Sequence, residues 1–214
     1  MYRSASACLA LDKLPEAADS CILGLEVDGN NAPLKTLFTK IQKRREHLAE
    51  LERKRQEREE RKLAEKRTLE AALKSRGIKT RTTGQAPEME DAAISLAIPL
   101  KATSKLSFPV ILLYPVHAQS DFVKAFQETE NLSEHLSYIF PLPWDEQGEY
   151  TLEKVECYME TATGGLIKAG KNLSLLKILG SGKVEIVDGL VRISVVPKDK
   201  AAGWIEEFKK RRGT

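Results

Sequence analysis

Cysteine and histidine are scarce in this chain, three of each among 214 residues. Cys8, Cys21 and Cys157 stand apart with no C-x-x-C pair, and no Cys/His spacing matches zinc. An odd, scattered trio of thiols points to a reducing compartment, cytoplasmic or nuclear. A surplus of one charge is also missing. The formal net charge is +3, too small to imply nucleic acid by itself. No apolar run approaches the roughly 18 residues of a membrane span, so no membrane partner is expected. The first residues lack the basic-then-apolar order of a signal peptide. What is present is balanced: 30% charged and 42% hydrophobic residues, the texture of a soluble, ordered chain with room for one or two domains.

Residues 2–12 and 14–27 read as two helices broken at Asp12-Lys13. Pro15 suits the first turn of the second, and Gly29-Asn30-Asn31 ends it. The pair is an αα-hairpin. Ala5, Cys8, Ala17, Cys21 and Gly24 fall on the small-residue positions of a tetratricopeptide repeat, with Gly29 where that repeat usually carries proline. One repeat cannot bury its own apolar face, and at least about three must stack. Residues 1–32 are therefore expected to be the last repeat of a partial array, and the chain the back part of a longer protein.

Glycine and proline are absent from Leu34 to Arg76. That stretch, opened by Pro33, reads as one long charged helix over 33–77, reaching roughly 65 Å at about 1.5 Å per residue. Leu34, Leu37, Phe38 and Ile41 recur at helical spacing, and Leu48 and Leu51 are expected to extend the stripe. Between Glu52 and Lys62 no apolar side chain occurs. Glu50–Lys54 and Glu57–Arg61 are i,i+4 pairs in the better orientation, so the middle should be a solvated helix and a poor coiled coil. Leu63, Leu69 and Leu73 hint at a late contact, and Gly77 ends the helix.

Residues 78–92 read as a mobile linker. A different texture follows over 93–214. Val110 to Tyr114 is a short apolar run expected to be a buried strand bounded by Pro109 and Pro115. Phe122, Val123 and Phe126 suggest a short helix with Ser120 as N-cap, and Leu132, Leu136 and Ile139 another. Val155, Cys157 and Met159 alternate with polar neighbours as a strand does, and Gly164-Gly165 supplies a turn. Asp188-Gly189 between two apolar runs is a hairpin signal. Trp204, Ile205 and Phe208 close on a basic-ended helix. The fold class is α+β with a mainly antiparallel sheet.

Several stretches in this order carry a resemblance: Leu112-Leu113-Tyr114-Pro115, Gln119-Ser120-Asp121-Phe122, Pro143-Trp144-Asp145, Glu149-Tyr150-Thr151, Val155 to Thr161, Gly164 to Lys168, Ile186 to Gly189 and Val195 to Lys198. Together they resemble the wheel domain that closes the co-chaperones related to tetratricopeptide repeat protein 4 and its fungal counterpart, a suppressor of cyclophilin-seven loss. The resemblance spans the whole chain. It implies a twisted sheet of about five strands flanked by helices, in line with the α+β reading. It also implies a co-chaperone adaptor of heat-shock protein 90, with heat-shock protein 70 as a second partner and translation elongation factor 2 as client.

The same resemblance carries one carboxylate-clamp residue, Arg3, onto the chaperone's acidic tail. A guanidinium suits a carboxylate because its planar fork gives two parallel charge-assisted hydrogen bonds. The clamp's other cationic and amide positions fall outside the sequence, so weak or no tail binding is expected of this chain. Read without the resemblance, Arg3 is a solvated surface residue. Lys43-Arg44-Arg45 is a candidate client or partner surface. The alternative, a ribosome- or RNA-associated protein acting through this basic helix, has phosphate chemistry behind it, but glutamates interleave and no aromatic is present to stack on bases. Trp144 and Tyr150, in a proline-flanked loop, are either core packing or binding anchors.

No enzyme is expected. His47, His117 and His135 are dispersed, and His117, Ser120 and Asp121 are neighbours in sequence without the spatial geometry a triad requires. No G-x-S-x-G elbow occurs, and Gly164, Gly165 and Gly170 do not form a phosphate loop. No cofactor and no metal are expected.

Overall fold

The computed structural model describes residues 1–85 and 87–213. Chain contacts divide into two units, Met1–Leu63 and the remainder from Ala64 onward.

In the first unit, α1 (Tyr2–Ala10) and α2 (Leu14–Val27) pack as the hairpin that the small residues predict, joined by the start of α3 (Ala32–Ser75). Ala5, Ala17, Cys21 and Ile41 are fully buried, with Leu14, Leu34 and Leu37 around them. Short side chains let helix axes approach closely. Gly24 is the tightest point, where a Cβ would sit 2.7 Å from Leu34 Cδ1 and 2.9 Å from Met1 Cβ. The Asn31 side chain accepts from the Leu34 N–H at 3.1 Å and starts α3. Every residue from Lys43 to Ala64 is exposed. Leu48 and Leu51 therefore do not extend the apolar stripe, because no element of this unit lies over them. Glu50–Lys54 forms as expected at 2.6 Å, and Glu57 accepts from Arg53 at 3.5 Å.

The second unit begins within α3. Ala72 and Leu73 are buried and Leu69 packs beside them, whereas Leu63 is exposed. Gly77, at φ 69°, closes the helix, with Ile78 N–H on Leu73 O and Gly77 N–H on Lys74 O. That is a Schellman arrangement, which favours glycine because the left-handed region is strained for other residues. The stretch expected to be a linker carries paired backbone. β1 (Lys79–Arg81) pairs in parallel with β7 (Glu185–Val187). Thr83 donates its N–H and Oγ1 to Asp188 at 2.7 and 2.6 Å, and Ala92 is buried. Ala86, in the same stretch, lies outside the described residues.

A six-stranded sheet follows the order β2 (Ser95–Leu96), β3 (Leu106–Tyr114), β8 (Val191–Pro197), β5 (Val155–Glu160), β6 (Leu166–Ala169), with β4 (Gln119–Gln127) also on β3. Only β3–β8 is parallel within it. It has six strands, one more than the resemblance implies. Its sealed face carries Phe108, Val110, Leu112 and Tyr114 of β3, with Val155, Cys157, Ile193 and Val195 from the neighbouring strands. α4 (Leu132–Ile139), α5 (Leu175–Leu179) and the end of α3 contribute to the same core. Asn131 caps α4 with a full capping box. α6 (Lys198–Arg212) lies on the other face, its Ala201 and Trp204 against Tyr158 and Val196.

Three local readings change. The helix expected from Ser120 is the strand β4. A register shift between Phe108 and Val110 places Phe126 opposite Phe108 and Val123 opposite Val110, so two residues three apart share one face. That spacing mimics a helix because a bulge breaks the period of two. Pro109 lies inside β3, not at its start, and sits at this irregularity, where its missing N–H is tolerated. Asp188-Gly189 does turn, with φ of 54° and 74°, as a type I′ turn requires. Yet β7 and β8 share only the Val187–Leu190 bridge, since both edges of β8 are taken by β3 and β5.

Candidate functional site

Arg3 is exposed on α1, a position that leaves its guanidinium available to an acidic ligand. Lys43 and Arg45 are likewise exposed. Arg44 is not a free cation. Its Nε and Nη2 donate to Asp12 Oδ1 and Oδ2 at 3.1 and 3.0 Å. Asp12 sits in the α1–α2 turn at φ 55°, so this pair ties the hairpin to α3. The Arg44 hydrogen bond holds the Asp12 carboxyl below its ordinary range. The basic cluster thus offers Lys43 and Arg45 to a partner, with Arg44 occupied.

Trp144 and Tyr150 meet in an aromatic cluster against Tyr114. Ring centroids lie 5.2 Å apart for Tyr114–Trp144, 5.3 Å for Tyr114–Tyr150 and 5.1 Å for Trp144–Tyr150, all edge-on. Such geometry sets positive ring edges against negative faces. Asp145 builds the loop by accepting the N–H groups of Glu149 and Tyr150 at 3.0 and 2.7 Å. Tyr150 is only 1% exposed and its hydroxyl lies 3.0 Å from His117 Nδ1. It packs and does not present itself as an anchor. Trp144 is half-buried, with part of its ring packed against the same core and part open to solvent. Burial pushes the Tyr150 hydroxyl up to about 12. It pushes Tyr114 higher still, helped by the 2.8 Å hydrogen bond that Tyr114 donates to Asp121.

This geometry separates the sequence neighbours His117, Ser120 and Asp121. Successive strand residues point to opposite faces, so Asp121 engages Tyr114 on the sealed side while Ser120 is exposed on the other. His117 Nε2 lies 3.7 Å from Glu149, which itself accepts from Lys200 at 2.6 Å. The group cross-links the 115–118 turn, the Trp144 loop and α6. Cys157, fully buried, has its thiol pushed up to about 12 by burial, which disfavours the thiolate a nucleophile needs.

One arrangement had no signal in the sequence. Arg76 donates Nε to Glu128 Oε2 at 2.6 Å and Nη2 to Oε1 at 3.0 Å, and also reaches Ala102 O and Ser104 O at 2.8 and 2.7 Å. Both side chains are largely buried, at 14% and 6% exposure. Nothing in the spacing of residues 76, 102, 104 and 128 announces that they converge.

The described residues thus form a repeat-like helical hairpin and a mixed sheet module, in which no buried side-chain N or O atom lacks a hydrogen-bond partner. In comparison with known sequences, the Cns1/TTC4 Wheel domain pattern matches residues 97–208, and the chain belongs to that family. It is similar to the Hsp70/Hsp90 co-chaperone cns1 of Schizosaccharomyces pombe, 38% identical over 99% of this chain and 60% of that protein. It is also similar to Hsp70/Hsp90 co-chaperone CNS1 of Saccharomyces cerevisiae, at 30% over 99% and 57%. Tetratricopeptide repeat protein 4 of Homo sapiens is 30% identical over 75% and 46%. The chain thus spans about 60% of the length of these two fungal relatives. Among solved structures, the Hsp90 co-chaperone Cns1 from Saccharomyces cerevisiae (delta69) superposes with a TM-score of 0.87 at 29% identity, covering 99% of this chain and 70% of that one.

Proposed function

We propose that this protein is a co-chaperone adaptor that links heat-shock protein 90, and heat-shock protein 70, to a folding client, with translation elongation factor 2 as that client. The observation that carries the reading is the collinear match from the first helix to the last with proteins named as Hsp70/Hsp90 co-chaperones. Arg3, exposed on the repeat hairpin, supplies one charge of a clamp for an acidic chaperone tail. The wheel domain supplies a second docking module. Two weak sites on one chain raise the local concentration of each partner for the other. Docking asks for satisfied cores and free surfaces, as found here, and no bond-making step is assigned. Three free cysteines suit a reducing, cytoplasmic or nuclear setting.

The test is crosslinking mass spectrometry of the full protein with purified heat-shock protein 90 and elongation factor 2, together and singly. Chaperone crosslinks near Arg3 that weaken in Arg3→Glu, with client crosslinks on 97–208, are the expected result. Absence of both sets in the ternary mixture overturns the reading. The ribosome or RNA reading loses ground because Arg44 is already neutralised by Asp12. RNA affinity falling steeply with added salt would restore it.

A further inference from the structure

The short parallel pair β1–β7 stands apart from the six-stranded sheet. All three residues of β1, Lys79, Thr80 and Arg81, are exposed, so no apolar burial fixes the strand in place. It is also shorter than the usual strand of about five or six residues. Ile78, buried just before it, anchors the chain at that end. Beyond the ladder, two side-chain contacts tie the strand down. Arg81 Nε donates to Glu185 Oε2 at 2.9 Å, a pair open to solvent and of small worth. Thr83 grips Asp188 twice, through its N–H to Oδ1 at 2.7 Å and its hydroxyl to Oδ2 at 2.6 Å. The Asp188 N–H in turn donates to Arg81 O at 2.8 Å. Asp188 is thereby the fastening point of a strap formed by residues 79–83.

The fastening depends on the chemistry of one hydroxyl. The Thr83 hydrogen bonds, with the charges of Arg192 and Arg81, hold the Asp188 carboxyl below its ordinary range. An ionised carboxylate accepts hydrogen bonds and cannot donate. A phosphate ester on Thr83 Oγ1 would remove the donated proton and set a charge of about −1.5 to −2 beside that carboxylate. The surroundings of Thr83 suit the enzyme that makes such an ester. Thr83 is exposed, with Arg81 two positions and Lys79 four positions before it. Gly84 follows at φ 81°, and a Cβ there would meet nothing within 4 Å, so the acceptor side is open. Kinases sort their substrate segments by charge pattern. Local opening of so lightly held a strand frees the hydroxyl for the reaction.

We propose that Thr83 is a phosphorylation site and that its phosphate releases the strap 79–83 from β7. The donor is ATP, and the catalyst is a protein kinase that selects basic residues ahead of the acceptor. A bond forms between the γ-phosphorus and Thr83 Oγ1. The bond from that phosphorus to the ADP oxygen breaks, and the hydroxyl proton passes to the kinase's base. The phosphate then faces Asp188, like charge against like, and both Thr83 contacts part. The backbone groups of β7 that β1 covered turn to solvent. They border a cavity of about 560 Å³ lined in part by Arg81, Glu185, Ile186 and Val187, so release also loosens one wall of it. An unpaired strand edge is a template for pairing with another chain, a surface that the fastened strap hides. The switch lies within the wheel domain and operates without chaperone or client.

Hydrogen–deuterium exchange of the full protein with phosphothreonine encoded at position 83 tests the release. Exchange over 79–83 and at the Asp188 amide should speed about tenfold or more over the unmodified protein, with β3, β5 and β8 unaltered. Asp188→Asn removes the charge that repels the phosphate, and asparagine tolerates the positive φ of 54° at this position. In that background the phosphate should alter exchange far less. The unmodified protein incubated with ATP and the catalytic domain of protein kinase C should acquire phosphate on Thr83, read by phosphopeptide mass spectrometry. The proposal is overturned if Thr83 takes no phosphate, or if only Thr80 or Thr82 takes it. It is overturned equally by unchanged exchange over 79–83, or by slower exchange, which means that Arg81 or Arg192 captures the phosphate. An equal effect in Asp188→Asn, or faster exchange throughout β3 and β8, also overturns it.

Discussion

Each unit holds one arginine clamped by two hydrogen bonds to a carboxylate, and burial separates them. Arg44 and Asp12 in the N-terminal unit are 45% and 56% exposed. Arg76 and Glu128 in the C-terminal unit are 14% and 6% exposed. The chemistry and the fork geometry are the same. Water screens the first pair and releases it at little cost, whereas loss of either partner in the second strands a charge in a low-dielectric site. The N-terminal unit is thus held by small side chains and helix packing, with charge as surface trim. The C-terminal unit uses charge as an internal strut, joining the end of α3 to the 102–104 loop and to Glu128, the residue after β4.

The sharpest way to break that comparison is Arg76→Ala. It leaves Glu128 unpaired and the Ala102 and Ser104 carbonyls without their donor, and it should destabilise the C-terminal unit by about 3–5 kcal/mol. Trp144 and Trp204 both lie in that unit, so urea unfolding followed by tryptophan fluorescence reads it directly. Arg76→Lys should recover little, because an ammonium cannot supply five directed N–H bonds in a plane. A midpoint that barely moves would show that the strut is decorative.

Trp144→Ala comes next. It removes edge-on contacts to Tyr114 and Tyr150 and should cost about 2–3 kcal/mol, below the loss for a fully buried tryptophan because this one is half-buried. Thermal unfolding of the variant decides between packing and anchoring. Intact stability combined with lost partner binding would return Trp144 to the docking surface.

An alkaline titration probes the same core more gently. Burial pushes the Tyr150 and Tyr158 hydroxyls up to about 12. In the unfolded chain these groups ionise near the ordinary tyrosine range, about 10. Between those values the native state holds more protons, so stability is complete below pH 10 and falls as pH rises toward 12. Tyr150→Phe should flatten that slope; denaturant midpoints measured across the window check it. An unaltered slope would mean that Tyr150 does not contribute.

The helical hairpin was legible because its contacts are local. Ala5, Ala17, Cys21 and Gly24 lie within two helices that must touch, so small residues at fixed spacing reveal the interface before any coordinate does. Gly77, just past the last turn of α3, marks a helix end by the same local logic. The sheet resisted for the opposite reason. Val110 pairs with Val191, a partner far along the chain, and the bulge beside Pro109 turned β4 into an apparent helix. The Asp188-Gly189 turn was readable, but the strand that β7 chooses, Lys79–Arg81, was not, since that segment has the composition of a linker. Of the candidate site, Arg3, Lys43 and Arg45 stand exposed as surface residues. Tyr150 sinks into the core, and Arg44 is occupied by Asp12.

The mildest perturbation belongs to the exposed clamp. The Arg44 hydrogen bond lowers the Asp12 pKa in the folded state. A carboxyl lowered in this way contributes stability above its ordinary range and loses that contribution as pH falls through the folded value. Both groups face water, so the effect should be small, and added salt should erase it. Asp12→Asn should therefore shift the helical-hairpin melting temperature slightly at neutral pH and low salt, and not at all in strong acid or high salt. Lys43→Glu with Arg45→Glu should leave that melting temperature in place, because neither side chain holds the hairpin together. A large loss of stability in Asp12→Asn would mean that the exposed pair behaves like the buried one, and the contrast between the two units would rest on something other than access to water.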